Sequence, residues 1–333
     1  MYRFLITALL LKSALAHGNP TIRLAGSHPL ADSLLPVDLR WRLPEHNEAA
    51  TTALQDIEQD YGRTHDHSRT LARLLPLAED TAAGICTKKV RFRLFTDLAR
   101  VCARLRMYSL AMRCYYNALK GDTELPGDSA CYHELPVAES APAQPNSIIA
   151  SFADGRETSF YALLLEVKQP VPGRRRAFTH INNVGHTFIT LIKYNRDGTI
   201  VSRSFGFYPH KKGILSATPL HPSAPSWIKD DSRHDWDESA GKLISYRQFT
   251  EILRLLRSYH RRSYHLSHNN CTDFGLALAQ AAGICVQDTA GRWPLGYGNN
   301  PGSLGQSLLE GKVADTGTGP DELFVVDNLP SHH

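Results

Sequence analysis

Residues 183–207 read NVGHTFITLIKYNRDGTIVSRSFGF. Two runs rich in β-branched and aromatic residues, Phe188–Tyr194 and Thr199–Phe207, flank the polar tetrapeptide Asn195-Arg196-Asp197-Gly198. Such a pair of runs around an Asp-Gly turn predicts an antiparallel hairpin. Working outward, Phe160–Val167 is a third strand-like run. Downstream, Ile252, Leu255, Leu256 and Tyr259 recur at helical spacing and predict a helix from Tyr246 to Tyr259. A second helix is expected from Cys271 to Ala282, stopped by Gly283. The second half of the chain is therefore read as an antiparallel sheet with packed helices.

The first half has a different period. Phe95, Leu98, Ala99 and Cys102 fall on one helical face, and Ala111, Tyr115 and Ala118 on another, with Tyr108-Ser109 near the turn between them. Leu71, Leu74, Leu75 and Ala78 predict an earlier helix ending near Pro76. Pro126, Gly127, Pro136, Pro142 and Pro145 break regular structure between the halves. The fold class is α+β, with a helical, repeat-like region preceding the sheet-plus-helix domain. The expected organisation is a leader at 1–16, an irregular arm at 17–48, helices at 49–120, a linker at 121–146, the α+β domain at 147–312 and a mobile tail at 313–333. The Gly-, Pro- and Asn-rich stretch after Gly283 is read as ordered coil.

Composition narrows the function. The 333 residues suffice for two ordinary domains, and 42% hydrophobic content with a mean hydropathy of -0.30 describes a globular chain. No apolar run is long enough for an integral membrane segment. A formal charge of +4 is too small to argue for nucleic acid. Arg3, the apolar stretch Phe4–Leu11 and the small-residue ending Ser13-Ala14-Leu15-Ala16 have the layout of a secretory leader, interrupted by Lys12, so the protein is expected to be exported to a periplasmic or extracellular space. There are six cysteines and no CxxC, which argues against structural zinc. Cys86 and Cys131 flank the helical hairpin as one pair for a disulfide. No metal and no cofactor is expected.

Two short stretches carry chemistry. In Asn183-Val184-Gly185-His186, a histidine opens a strand directly after glycine. In His268-Asn269-Asn270-Cys271-Thr272-Asp273, a cysteine opens a helix directly after a capping residue. Asn270 is a good N-cap and Asp273 stands where it can cap reciprocally. Cys271 then lies in the first turn, where unpaired N–H groups and the helix dipole favour a thiolate. An imidazole beside it lowers the thiol pKa further and moves protons near neutral pH. The backbone N–H of Cys271 is a candidate oxyanion donor. Asn183, Gly185, Tyr208, Tyr264, His268 and Asn269 are candidates to line a substrate groove. His265 and His268 are substitute bases, and Cys285 is a weaker nucleophile because it lacks a helix start.

Gly-His before an apolar strand, with Asn-Cys-x-Asp-Phe at a later helix start, resembles the papain-like superfamily that includes NlpC-type cell-wall peptidases. The histidine precedes the cysteine here, which resembles the permuted branch containing lecithin–retinol acyltransferase-like proteins. The likeness covers roughly 160–283. The helical hairpin resembles a tetratricopeptide repeat over about 34 residues, with Cys102 where an aromatic residue is usual. The resemblance implies a Cys271 nucleophile, a His186 base and a third polar residue on the strand after His186, where Ser204 or Ser202 is the nearest match. It implies a peptide or acyl substrate, with peptidoglycan peptides as one class, and a protein partner for the helices.

Two other readings stand beside it. A lipid or acyl ester hydrolase or acyltransferase would use the same pair. A binding or scaffold protein with an inactive papain-like domain is favoured by the lack of a strong third residue among Ser202, Arg203 and Ser204. The acidic stretch Asp230–Glu238 lacks the glycine-centred spacing of a calcium loop and reads as a surface loop near the cleft, with a cation-dependent hydrolase as the remote alternative.

Overall fold

The computed structural model describes residues 37–64, 66–83, 87–121, 141–179, 183–210, 216–317 and 323–328. The leader at 1–16 and the pairing of Cys86 with Cys131 lie outside the described residues. Four helices come first: α1 (Val37–Thr64), α2 (His67–Ala83), α3 (Lys88–Arg104) and α4 (Tyr108–Lys120). Helix α1 occupies 37–48, which were expected to belong to the irregular arm. Helix α2 runs through Pro76 rather than ending there; Leu74 and Ala78, on either side of the proline, are buried in the core, and that packing outweighs the local cost. Helix α3 starts on Thr87, whose side chain accepts from the N–H of Val90, and α4 ends on Gly121 with φ of 77°.

A seven-stranded sheet follows, antiparallel at every pairing. Its strands are β1 (Ala141–Ala143), β2 (Thr158–Lys168), β3 (His186–Asn195), β4 (Ile200–Pro209), β6 (Ser226–Asp230), β7 (Glu238–Ile244) and β13 (Leu323–Asp327). They lie in the order β1-β6-β4-β3-β2-β7-β13. Between them come α5 (Pro145–Ser151), β5 (Ser223–Ala224), α6 (Tyr246–Tyr259), β8 (Tyr264–His265), α7 (Cys271–Ala281), β9 (Ile284–Val286), β10 (Ala290–Trp293), β11 (Gly296–Asn299), α8 (Pro301–Leu309) and β12 (Val313–Asp315). The α+β class expected from the sequence is the class observed.

Strand β3 sits at the centre and is buried along its whole length. That is why its sequence reads as a run of apolar residues rather than an alternation: both faces of the sheet are covered. One face carries Ala162, Leu164, Phe188, Ile192 and Tyr194, packed with Leu94, Phe95, Leu98, Cys102, Ala111 and Met112 of the helical region. The other carries Leu163, Leu165, Ile189, Leu191 and Phe205, packed with Phe249, Ile252, Phe274, Leu278 and Leu304 of α6, α7 and α8. Each of the Leu, Ile, Phe and Met side chains among them contributes about 1.5–3 kcal/mol when fully buried.

The helical region thus shares a continuous core with the sheet instead of standing apart from it. Polar ties follow the same seam: Tyr194 Oη donates to the Ser109 carbonyl at 2.6 Å, and Arg104 Nε to the Asp327 carbonyl at 2.8 Å.

Several expectations for the connecting segments are overturned. Within the expected linker, residues 141–143 form an edge strand paired to β6, and Pro145 opens α5. The tail expected to be mobile supplies β12 and β13. Phe324 and Val326 enter the helix-side core while Leu323 and Val325 pack on the other face. The stretch after Gly283 is strands and helix rather than coil. Asn300 caps α8 by accepting from Ser303 N–H at 2.9 Å, with Pro301 in the first helical position.

Candidate active site

Helix α7 begins on the Asn270-Cys271 junction. Asn270 Oδ1 accepts from the N–H groups of Thr272 (2.8 Å) and Asp273 (3.1 Å), and Asp273 Oδ2 accepts from Asn270 N–H (2.9 Å). This reciprocal cap fixes Cys271 in the first turn. The helix can lie close on β3 because Gly275 faces it: a Cβ there would fall 2.5 Å from Thr187 Cγ2. The approach also joins Thr187 Oγ1 to Thr272 Oγ1 at 3.2 Å.

His186 opens β3, and its ring meets the Cys271 thiol. The ring's Nε2 lies 3.1 Å from Asp231 Oδ2, which leaves Nδ1 for the sulfur. Asp231 Oδ1 accepts from Tyr208 Oη at 2.6 Å. His186 is 5% exposed, Cys271 7% and Asp231 1%. Electrostatics in so dry a place are strong. Burial of the imidazole works against its charged form, yet the Asp231 carboxylate and the Cys271 sulfur outweigh it and hold the pKa up at about 9. Burial likewise works against a thiolate, but hydrogen bonding and charge from His186, the Thr187 backbone and the Thr272 hydroxyl bring Cys271 below the ordinary thiol range. The two directions describe a thiolate–imidazolium pair.

The third residue differs from the expectation. Ser204 pairs across the strands with Thr190 and shares a 2.6 Å hydrogen bond with its hydroxyl, and Ser202 pairs with Ile192. Thr190 is four residues along β3 from His186, about 13 Å of strand, and Ile192 farther still. The register puts Gly206 opposite Phe188, leaving a gap beside the imidazole. A Cβ on Gly206 would lie 2.2 Å from Asp231 Oδ2 and 2.4 Å from His186 Nε2. Asp231, just past β6, fills that gap. It is anchored by its N–H on the Ser204 carbonyl at 3.0 Å. Asp231 had been read as part of a surface acidic loop. Of the acidic residues after it only Asp235 keeps an exposed side chain; Asp237 is buried, both accept from Lys168 Nζ (2.9 and 2.7 Å), and Glu238 opens β7.

The remaining predicted positions divide. Tyr208 packs its ring 4.3 Å from that of His186. Tyr264 is buried with its phenol against the thiol and backbone of Cys271, and burial keeps that phenol protonated. Gly185, at φ of 70°, turns the chain into β3 against the Lys168 carbonyl. Asn183 Nδ2 donates to the Pro170 carbonyl at 3.0 Å, Asn269 Nδ2 to that of Ser263 at 2.5 Å, so both amides brace loops. His265 and His268 stack on each other, centroids 3.5 Å apart, in the loop before α7. Cys285 lies in β9 opposite Ala314, away from any helix start. His234, read only as part of the acidic loop, sits 4.9 Å from His186, ring to ring, and burial pushes its pKa down.

No protein-family model matches the chain, and no curated protein and no solved structure matches it. Among the described residues, no helix is long and apolar enough to cross a membrane.

Proposed function

We propose that the protein is an exported thiol hydrolase of the permuted papain-like kind, cleaving an amide bond, with peptides of the cell wall as its substrate class. One observation carries the reading: Cys271, His186 and Asp231 form a buried chain of contacts at a helix start. Sequence offered only serines as the third member, and that weakness favoured an inactive domain. Asp231 supports the catalytic reading because it supplies the charge and orientation an imidazolium needs.

In this mechanism the Cys271 thiolate attacks the carbonyl carbon and a C–S bond forms. The oxygen gathers charge beside the N–H of Cys271 and the Tyr264 phenol. The C–N bond then breaks as His186 Nδ1 gives its proton to the leaving amine. Water, deprotonated by the now neutral His186, hydrolyses the thioester and restores the pair. The leader-like 1–16 segment and the likeness to cell-wall peptidases are what point to an extracytoplasmic peptide.

Alkylation tests the core of the proposal without a substrate. Cys271 should react with iodoacetamide well below pH 8, and His186→Ala should remove that advantage. A Cys271 that reacts like a free thiol in both proteins would refute it.

A further inference from the structure

We propose that Tyr208 is a positioning residue for this site, acting on His186 through Asp231, and that Lys229 acts on Tyr208 in turn. The inference rests on the thiol-hydrolase reading and extends it. Tyr208 was a groove candidate in the sequence, but its hydroxyl is spent inward.

The geometry is specific. Asp231 is almost wholly buried, and its two carboxylate oxygens are divided between two partners: Oδ2 on His186 Nε2 and Oδ1 on Tyr208 Oη. A carboxylate held at one oxygen can swing about its Cβ–Cγ bond. Held at both, it cannot, and the imidazole it faces is aimed at the thiol. The Tyr208 ring adds a second restraint by packing 4.3 Å from the His186 ring. Gly206 supplies the space in which the three side chains meet. Outside this group, Lys229 Nζ stands 4.9 Å from the centroid of the Tyr208 ring. A cation on a phenol ring draws electron density from it and makes its O–H a stronger donor. The line of contacts therefore runs Lys229, Tyr208, Asp231, His186, Cys271. Every member of the line is buried or half-buried, so charge at one is felt at the next.

Removing only the hydroxyl, by Tyr208→Phe, keeps the ring against His186 and takes the Tyr208 donor away from Asp231 Oδ1. The carboxylate then loses the contact that fixes its plane, and the imidazolium it orients weakens. The thiolate fraction of Cys271 at acidic pH should fall about tenfold, the effect of roughly one pKa unit. Lys229→Met should move the profile the same way by less.

The experiment is the rate of iodoacetamide alkylation of Cys271 against pH in the full chain, for wild type, Tyr208→Phe, Asp231→Asn and the double variant, with thermal unfolding beside it. A displaced profile for Tyr208→Phe at an unchanged Tm is expected. In the Asp231→Asn background the tyrosine change should have no further effect, because its action passes through Asp231. A Tyr208→Phe profile that superimposes on wild type overturns the proposal, as does a shift that adds in full to that of Asp231→Asn. Should wild-type Cys271 itself show no reactivity below pH 8, the underlying hydrolase reading fails, and this inference with it. Normal wild-type reactivity with an indifferent Tyr208→Phe sinks the inference alone.

Discussion

Nε2 of His186 lies 2.4 Å from where a Cβ on Gly206 would be. A glycine in a central strand therefore makes room for the contact between histidine and Asp231. Gly206→Ala should force the imidazole or the carboxylate aside. Overpacking of this kind costs about 1–3 kcal/mol, and the rate advantage of Cys271 toward iodoacetamide should disappear with it. Urea unfolding and alkylation at pH 6 measure the two effects; an alanine variant that alkylates at the wild-type rate contradicts the steric account.

Asp231→Asn should lower the pKa of His186 from about 9. The imidazole binds its proton more tightly folded than unfolded. Its contribution to stability is thus complete below the ordinary value near 6.5 and is lost as pH rises through about 9. Wild type should lose stability across that window more steeply than Asp231→Asn. Chemical denaturation at pH 6 and pH 9.5 gives the comparison, and parallel slopes for the two proteins would contradict it.

Glu166 is fully buried on the helix-facing side of the sheet, its Oε2 accepting from Thr190 Oγ1 at 2.5 Å. Burial pushes its pKa up to about 8. Folded protein holds this proton where the unfolded chain, near 4.5, has released it. Stability should therefore decline as pH rises from about 4.5 to about 8 and change no further from this group above that. Glu166→Gln, permanently neutral, should flatten the decline. Denaturation midpoints that fall equally in both proteins would show that other groups dominate.

Asn270→Ala removes the cap of α7 while leaving Cys271 in place. A loss of roughly 1 kcal/mol is expected, with slower alkylation of Cys271 because the first turn frays. If stability drops but alkylation does not, the helix start is not what activates the thiol.

The shared core makes the helices part of one folding unit with the sheet. Leu98, fully buried in α3, belongs to the cluster that includes Leu164 and Phe188 of the sheet. Leu98→Ala should cost about 2–5 kcal/mol and lower a single transition seen alike by near- and far-ultraviolet circular dichroism. Two separated transitions, with only the first moved, would show that the halves unfold independently.

Sequence alone determined the local pieces. Asn195-Arg196-Asp197-Gly198 set the hairpin of β3 and β4, the spacing of Ile252, Leu256 and Tyr259 set α6, and Asn270 with Asp273 set the start of α7, because each signal is complete within a few residues. His186 and Cys271 were legible for the same reason: each sits at an element boundary marked by its neighbours. The third member of the site was not. Asp231 is 45 residues from His186, in a stretch whose acidic composition resembles a solvated loop. Only the pairing of β4 with β3 and β6, and the missing side chain at Gly206, brings it against the imidazole. The tail misled for a related reason. Leu323–Val326 is apolar at every position and shows no alternation in sequence, because the helical region buries Phe324 and Val326 on one face and the α6–α8 side partly covers Leu323 and Val325 on the other. Cover on two faces, complete on one and partial on the other, is a property of the assembled layers, and no local pattern of five residues encodes it.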